Sequence, residues 1–235
     1  MDPIDIEHNL EFVASRIAAA AESCGRDAGD VQLIAVTKTF PAQSILAAAA
    51  AGQLRFGENR IQEAEPKIHA LREISGIEWH LVGHLQSNKA KHAAELFDVV
   101  HSLDSVKLAV RLSEACSVSR KALRVLLQID LGHEETKHGA DPGEVRNIIA
   151  AAGDLEGIRL DGLMTLPPFF DDPEKTRPYF SALRQLRDAL ESENAGCLGR
   201  GHLSMGMSHD FEVAIQEGAT MVRVGTAIFG ERIHV

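Results

Sequence analysis

Eight short β-rich runs alternate with amphipathic helical stretches along this chain, and that alternation limits the fold more than any other feature. The candidate strands are Leu33 to Thr37, Arg55 to Glu58, Glu78 to Gly83, Val99 to Leu103, Arg124 to Asp130, Leu160 to Thr165, His202 to Met207 and Met221 to Gly225. Several are continuous apolar runs, the pattern of strands covered on both faces of a parallel sheet. Helical periodicity fills the gaps at Ala42 to Ala51, Ile61 to Ile74, Ser105 to Val118, Asp141 to Ala152, Lys175 to Leu190 and Phe211 to Glu217. One more helix precedes everything else, its stripe made by Leu10, Val13, Ala14, Ile17, Ala18 and Ala21, with Gly25 placed to end it.

Eight strand-helix units in 235 residues favour a closed barrel over an open doubly wound sheet. No G-x-G-x-x-G follows the first strand, and no Pro/Gly/Ser linker divides the chain. The expectation is an α/β protein: a single (β/α)8 TIM barrel domain over 1–235 with an extra N-terminal helix. In such a barrel the site lies where strands run into the loops that follow them, so the residues just after each run are the informative ones.

Charge narrows the partners. With 24 Lys+Arg against 34 Asp+Glu the formal charge is −10, which disfavours broad attraction to nucleic acid or to an anionic membrane. The longest strictly apolar run, Ile45 to Ala51, is too short to span a bilayer, and the Met1-Asp2-Pro3-Ile4-Asp5 start is acidic where a signal peptide is basic. A cytoplasmic location is expected. Cys24, Cys116 and Cys197 are an odd number without C-x-x-C or zinc-ligand spacing, and the histidines include no H-E-x-x-H, so neither disulfides nor a metal are expected. A monomer is expected too, since a barrel closes its own sheet edges.

Two features carry chemistry. The first strand runs Leu33-Ile34-Ala35-Val36-Thr37-Lys38, placing an ammonium at the rim, where desolvation lowers a lysine's pKa and makes it a better nucleophile toward a carbonyl. A snorkelling or ion-paired rim lysine is the plainer alternative. The seventh strand runs into Ser204-Met205-Gly206-Met207-Ser208 and the eighth into Val222-Arg223-Val224-Gly225-Thr226, and barrels frequently build a phosphate site from these two loops. Ser208, Gly225 and Thr226 are the candidate phosphate ligands, with Ser208 also expected to cap its helix. Closure sets the eighth strand beside the first, so Lys38 neighbours the cradle. That pairing fits pyridoxal 5′-phosphate (PLP), and equally a Schiff-base aldolase acting on a phosphorylated sugar.

The stretches Ala35-Val36-Thr37-Lys38-Thr39, Phe56-Gly57-Glu58-Asn59-Arg60-Ile61-Gln62-Glu63, Trp79 to Lys89, Lys137-His138-Gly139, Gly162-Leu163-Met164, Ser204 to Ser208 and Arg223 to Gly230 resemble, in the same order, the pyridoxal phosphate homeostasis proteins. This is the YggS/PROSC-type group related to the alanine racemase barrel. The resemblance spans nearly the whole chain and implies PLP fold-type III. It implies that Lys38 carries PLP as a Schiff base, that Ser208, Gly225 and Thr226 hold the phosphate with Ser204 in the same motif, and that Arg223 faces the pyridine nitrogen. A guanidinium cannot accept that nitrogen's proton, so the ring would be a weak electron sink.

Asn59 either reaches the cofactor's phenolic oxygen or, with Gln62, caps a helix. His80 and Met164 either line the pocket or pack the barrel interior, and Trp79, of opposite parity to His80, is expected to pack outward under a helix. The glycine-flanked polar stretch Gly132 to Gly139 reads as a lid, in which Lys137 is either a second amine receiving the aldehyde or a solvated charge. Asp130-Leu131-Gly132 and Phe40 depart from the family pattern, which puts lid details in doubt. Alanine racemase needs a second domain and a tyrosine base, whereas this chain ends at Val235 and its single tyrosine, Tyr179, falls in a helical stretch. The expected function is therefore buffering PLP and delivering it to apo PLP-dependent enzymes, without an assigned catalytic residue. Free amino acids are further candidate ligands, and a weakly active fold-type III amino-acid racemase is the alternative.

Overall fold

The eight runs become eight parallel strands that close in chain order: β1 (Gln32–Val36), β2 (Arg55–Glu58), β3 (Glu78–Leu81), β4 (Val99–Leu103), β5 (Leu123–Ile129), β6 (Ile158–Thr165), β7 (His202–Met207) and β8 (Met221–Val224). A computed structural model describes residues 5–119, 122–132 and 138–231. Around the barrel lie α1 (Ile6–Ser23), α2 (Ala42–Ala50), α3 (Ile61–Ala70), α4 (Ala90–Leu96), α5 (Val106–Ser119), α6 (Val145–Gly153), α7 (Arg177–Glu193), α8 (Phe211–Gln216) and α9 (Thr226–Phe229).

Strand parity sorts the side chains. Ile34, Leu126, Met164 and Met221 form a separate apolar cluster, and they come from four different strands, so they meet inside the barrel. The opposite parity feeds the larger cluster under the helices. Trp79 belongs to that outer layer as expected, its ring 5.9 Å from that of Phe56. The closing seam pairs Ile34 with Arg223 and Ala35 with Val224.

Several boundaries differ from expectation. The ladders of β1 and β3 stop at Val36 and Leu81, although Thr37 N still donates to Gly57 O (2.9 Å) and Val82 N to Glu58 O (2.9 Å). One further ladder-like bond thus follows each of these strands at the mouth. α6 starts at Val145 because Asp141 folds its own turn, its carboxylate accepting from Gly143 N at 2.7 Å. α4 has no counterpart among the expected helices. It rests on Ala90, Ala93 and Ala94, small enough to give no apolar stripe.

α1 packs along α8 and reaches α9, the helices that follow β7 and β8. It buries Leu10, Val13, Ile17, Ala20 and Ala21. Asn9 donates to Ile228 O (2.9 Å), Arg16 pairs with Glu212 (2.5 Å) and lies 4.6 Å above the Phe211 ring, and Arg26 donates to Ile215 O (2.7 Å). Elements α8 and α9 are thus tied to the first helix.

Candidate functional site

A Cβ on Gly57 would meet Ile34 Cγ2, Val36 Cγ2 and Val82 Cγ1 at 3.1 to 3.4 Å, so these residues share the inner face. The alternation that turns Ile34 and Val36 inward carries on to Lys38, half-buried at the C-terminal mouth. The turn presenting it is tight. Phe40 N donates to Thr37 O at 3.0 Å, closing a loop over Lys38 and Thr39, and Thr39 has φ 70°, the single positive value at a non-glycine among the described residues.

Beside this turn lie the two loops of the expected phosphate cradle. Gly225 N donates to Ser208 Oγ at 3.1 Å, joining the loop after β7 to the loop after β8. The hydroxyl accepts in that bond, which leaves its own proton available for an anion. Thr226 is exposed at the start of α9, and a Cβ on Gly225 would stand 3.1 Å from Val36 O, two residues before Lys38. Amine, hydroxyls and amide therefore gather at one end of the barrel, across the β8–β1 seam. The donor set fits a phosphorylated aldehyde: hydrogen-bond donors for the phosphate and a primary amine for the carbonyl. Two capping expectations fail. Asp210, not Ser208, is the N-cap of α8, its carboxylate turned back to accept from Met207 N at 2.7 Å, and the Ser208 hydroxyl oxygen accepts from Gly225 N instead. Arg60, not Asn59, caps α3, without a side-chain bond.

His80, Met164, Ser204 and Arg223 lie deeper, each 0 to 3 % exposed. Met164 packs in the inner apolar cluster. The other three belong to a polar chain through the lumen: His80 Nε2 to Glu78 Oε1 (2.7 Å), His80 Nδ1 to His101 Nε2 (2.9 Å), His101 Nδ1 to Ser204 Oγ (2.9 Å), and Arg223 Nη1 to Ser204 Oγ (2.6 Å). Counting donors assigns every proton. The ionised Glu78 can only accept, so His80 carries its proton on Nε2 and accepts on Nδ1; His101 then donates from Nε2 and accepts on Nδ1 from the Ser204 hydroxyl, whose oxygen accepts from Arg223. All donors point from Arg223 toward Glu78. Burial lowers the pKa of both histidines, consistent with two neutral rings. The His80 hydrogen bond, with Arg124 adding to it, holds Glu78 down to about 2 against the opposing effect of burial. Burial brings Arg223 to about 10, so it stays cationic at neutral pH, and its second amino group donates to Thr165 O at 2.9 Å.

Asn59 is half-buried and lines a separate cleft of about 540 Å3 between the loops after β2 and β3, together with Gln62, His84, Gln86 and Lys89. Nearby, His84 stacks on His138 with ring centroids 3.6 Å apart. Lys137 and most of the loop expected to act as a lid lie outside the described residues. Glu78 and His101 were not foreseen as site residues. The available signal was parity, since His101 falls in the strand run Val99-Val100-His101-Ser102-Leu103 at the same parity as Val99. Among the described residues no three histidine, cysteine, aspartate or glutamate side chains are grouped to hold a metal ion.

Comparison with known proteins adds to this geometry. A family model described as alanine racemase, N-terminal domain, matches residues 5–233. A pyridoxal phosphate homeostasis protein of Escherichia coli is 43% identical over 230 residues, covering 97% of each chain. One of Aquifex aeolicus is 42% identical over 223 residues, covering 95% of this chain and 96% of the relative. The solved structure of PipY of Synechococcus elongatus with PLP bound superposes with a TM-score of 0.81 at 40% identity, covering 93% of this chain and 100% of PipY.

Proposed function

The chain belongs to the alanine racemase N-terminal domain family and, within it, to the pyridoxal phosphate homeostasis proteins, and from that premise we propose that it binds PLP as a Schiff base on Lys38, buffers it, and delivers it to apo-enzymes. The observation that carries this reading is the Ser208–Gly225 bond, which builds a donor-lined cradle across the seam from the turn that presents Lys38. When bound, the cofactor supplies an aldehyde that condenses with amines and a ring that withdraws electrons. The rest is done by the chain. Ser208, Gly225 and Thr226 would hold the phosphate. Arg223, fixed by Ser204 and Thr165 and able only to donate, would face a ring nitrogen that carries no proton, which keeps electron withdrawal weak and suits storage better than carbanion chemistry.

Borohydride reduction of the PLP-loaded protein followed by peptide mapping tests the link: the adduct is expected on Lys38 and to vanish in Lys38→Ala, while an adduct on another lysine overturns the assignment. Delivery is tested by adding the loaded protein to an apo PLP-dependent enzyme and following regained activity. Efficient turnover across a racemisation panel of amino acids, without transfer, would replace the carrier reading by an enzymatic one.

A further inference from the structure

Behind Lys38, on the outer face of the barrel wall, a charged pair sits in a packing layer that is mostly apolar. Glu58 is fully buried and Lys67, from α3, is 11% exposed at the side chain, with Nζ 2.7 Å from Glu58 Oε1. The arrangement is costly. Glu58 Oε2 has no hydrogen-bond partner, and burial raises the Glu58 pKa against the pull of Lys67 and Thr37. Such a pair is often replaceable by apolar side chains without loss of stability, so stability alone gives no reason for it.

What the pair touches does give one. Glu58 Oε1 accepts from Thr37 Oγ1 at 2.6 Å, and Lys67 Nζ donates to Thr37 O at 2.8 Å. That carbonyl also receives Phe40 N at 3.0 Å, so both its lone pairs are engaged, and Thr37 N is bound to Gly57 O at 2.9 Å. On the far side of the lysine, Thr39 N, in its left-handed conformation, donates to Glu63 Oε2 at 3.3 Å. The residues on both sides of Lys38 are therefore gripped from outside the wall by α3 and β2, and a backbone conformation that threonine rarely adopts is held in place.

We infer that Glu58 and Lys67 are positioning residues for Lys38: they clamp Thr37 so that the next residue enters the lumen at the height of the Ser208–Gly225 cradle. They touch neither cofactor nor phosphate and act only through the Thr37–Phe40 turn. The inference rests on the reading of Lys38 as the PLP-bearing amine.

The test separates grip from stability. Glu58→Met/Lys67→Met removes the clamp but fills the space with apolar side chains, so the apo protein is expected to melt near the unaltered protein. PLP affinity is nevertheless expected to fall about ten-fold or more, with slower imine formation and a shifted midpoint in the pH titration of the bound cofactor's visible absorbance. Thr37→Val removes the hydroxyl at constant shape and should move the same readouts, whereas Thr37→Ser should restore them. If the double variant is folded and all three readouts match the unaltered protein, the clamp is refuted while the Lys38 reading stands. If the reduced adduct in the unaltered protein maps elsewhere than Lys38, both fall. Should the double variant fail to fold, the Thr37→Val and Thr37→Ser pair decides by the same criteria.

Discussion

Ser204→Ala tests the directed polar chain through the lumen. The hydroxyl is fully buried, donates to His101 Nδ1 and accepts from Arg223 Nη1, which are themselves 0% and 3% exposed. Deleting it orphans one donor on a cation and one acceptor on a neutral ring. Each buried group left unsatisfied costs about 1 to 3 kcal/mol, so a loss of about 3 kcal/mol or more is expected. Solvent should not repair it, because removing one oxygen frees far less than the about 30 Å3 a water occupies. For a chain of this size the melting temperature should drop by about 6 to 12 °C. Urea unfolding of the apo protein at pH 7 measures the loss, and a cycle with Arg223→Leu measures its origin. Arg223→Leu removes one of the two orphans in advance, so the two substitutions should couple by at least about 1 kcal/mol. A loss under about 1 kcal/mol, or simple additivity, would refute the proton assignment running from Arg223 to Glu78.

Glu78 sets an acid limit: held at about 2 instead of 4.5, it stabilises the fold fully above pH 4.5, and that contribution disappears as pH falls through about 2. At about 1.4 kcal/mol per pH unit this amounts to at most about 3 kcal/mol, so the stability gap between the unaltered protein and Glu78→Gln should shrink between pH 5 and pH 2 in urea titrations. His80 and His101, lowered from 6.5, should make stability begin to fall already below pH 6.5, and His101→Gln should weaken that early phase. Gly206→Ala should cost about 3 kcal/mol or prevent expression, because Gly206 has φ 91° and its Cβ would stand 2.6 Å from Ala214 Cβ. Ser208→Ala should leave the apo melting temperature nearly unchanged yet lower PLP affinity about ten-fold in equilibrium dialysis, matching one lost hydrogen bond to a charged group.

The barrel was readable because its signal is local. Several strands are contiguous apolar runs, and eight strand segments with helical spacers leave little choice of architecture. Closure then follows from topology, which is why Lys38 and the Ser208–Gly225 cradle, far apart in sequence, are brought to one rim. α4 escaped because a helix built on Ala90, Ala93 and Ala94 has almost no amphipathic contrast. The cap of α8 was misread for a different reason. Ser208 and Asp210 both suit an N-cap, and the choice between them depended on Gly225, a partner 17 residues away that offered Ser208 another bond.

The interior chain and the outer clamp were illegible for a common physical reason. A barrel lumen takes one or two side chains from each strand, so a network inside it is assembled from single residues whose spacing carries no period: His101 and Ser204 stand 103 positions apart. Parity says that His80 and Ser204 turn inward, but the stagger between strands decides which inward group each one meets. Thr37 and Glu58 suffer the opposite fate, since parity turns them away from the lumen and toward the layer where apolar side chains are expected. A polar residue there reads as an exception, and its purpose appears only once Lys67 of α3 is seen to share Glu58 Oε1 with the Thr37 hydroxyl. Residues that touch a ligand tend to cluster at strand ends where a sequence can be searched for them; residues that hold those residues in place are found only by following the hydrogen bonds outward from the amine.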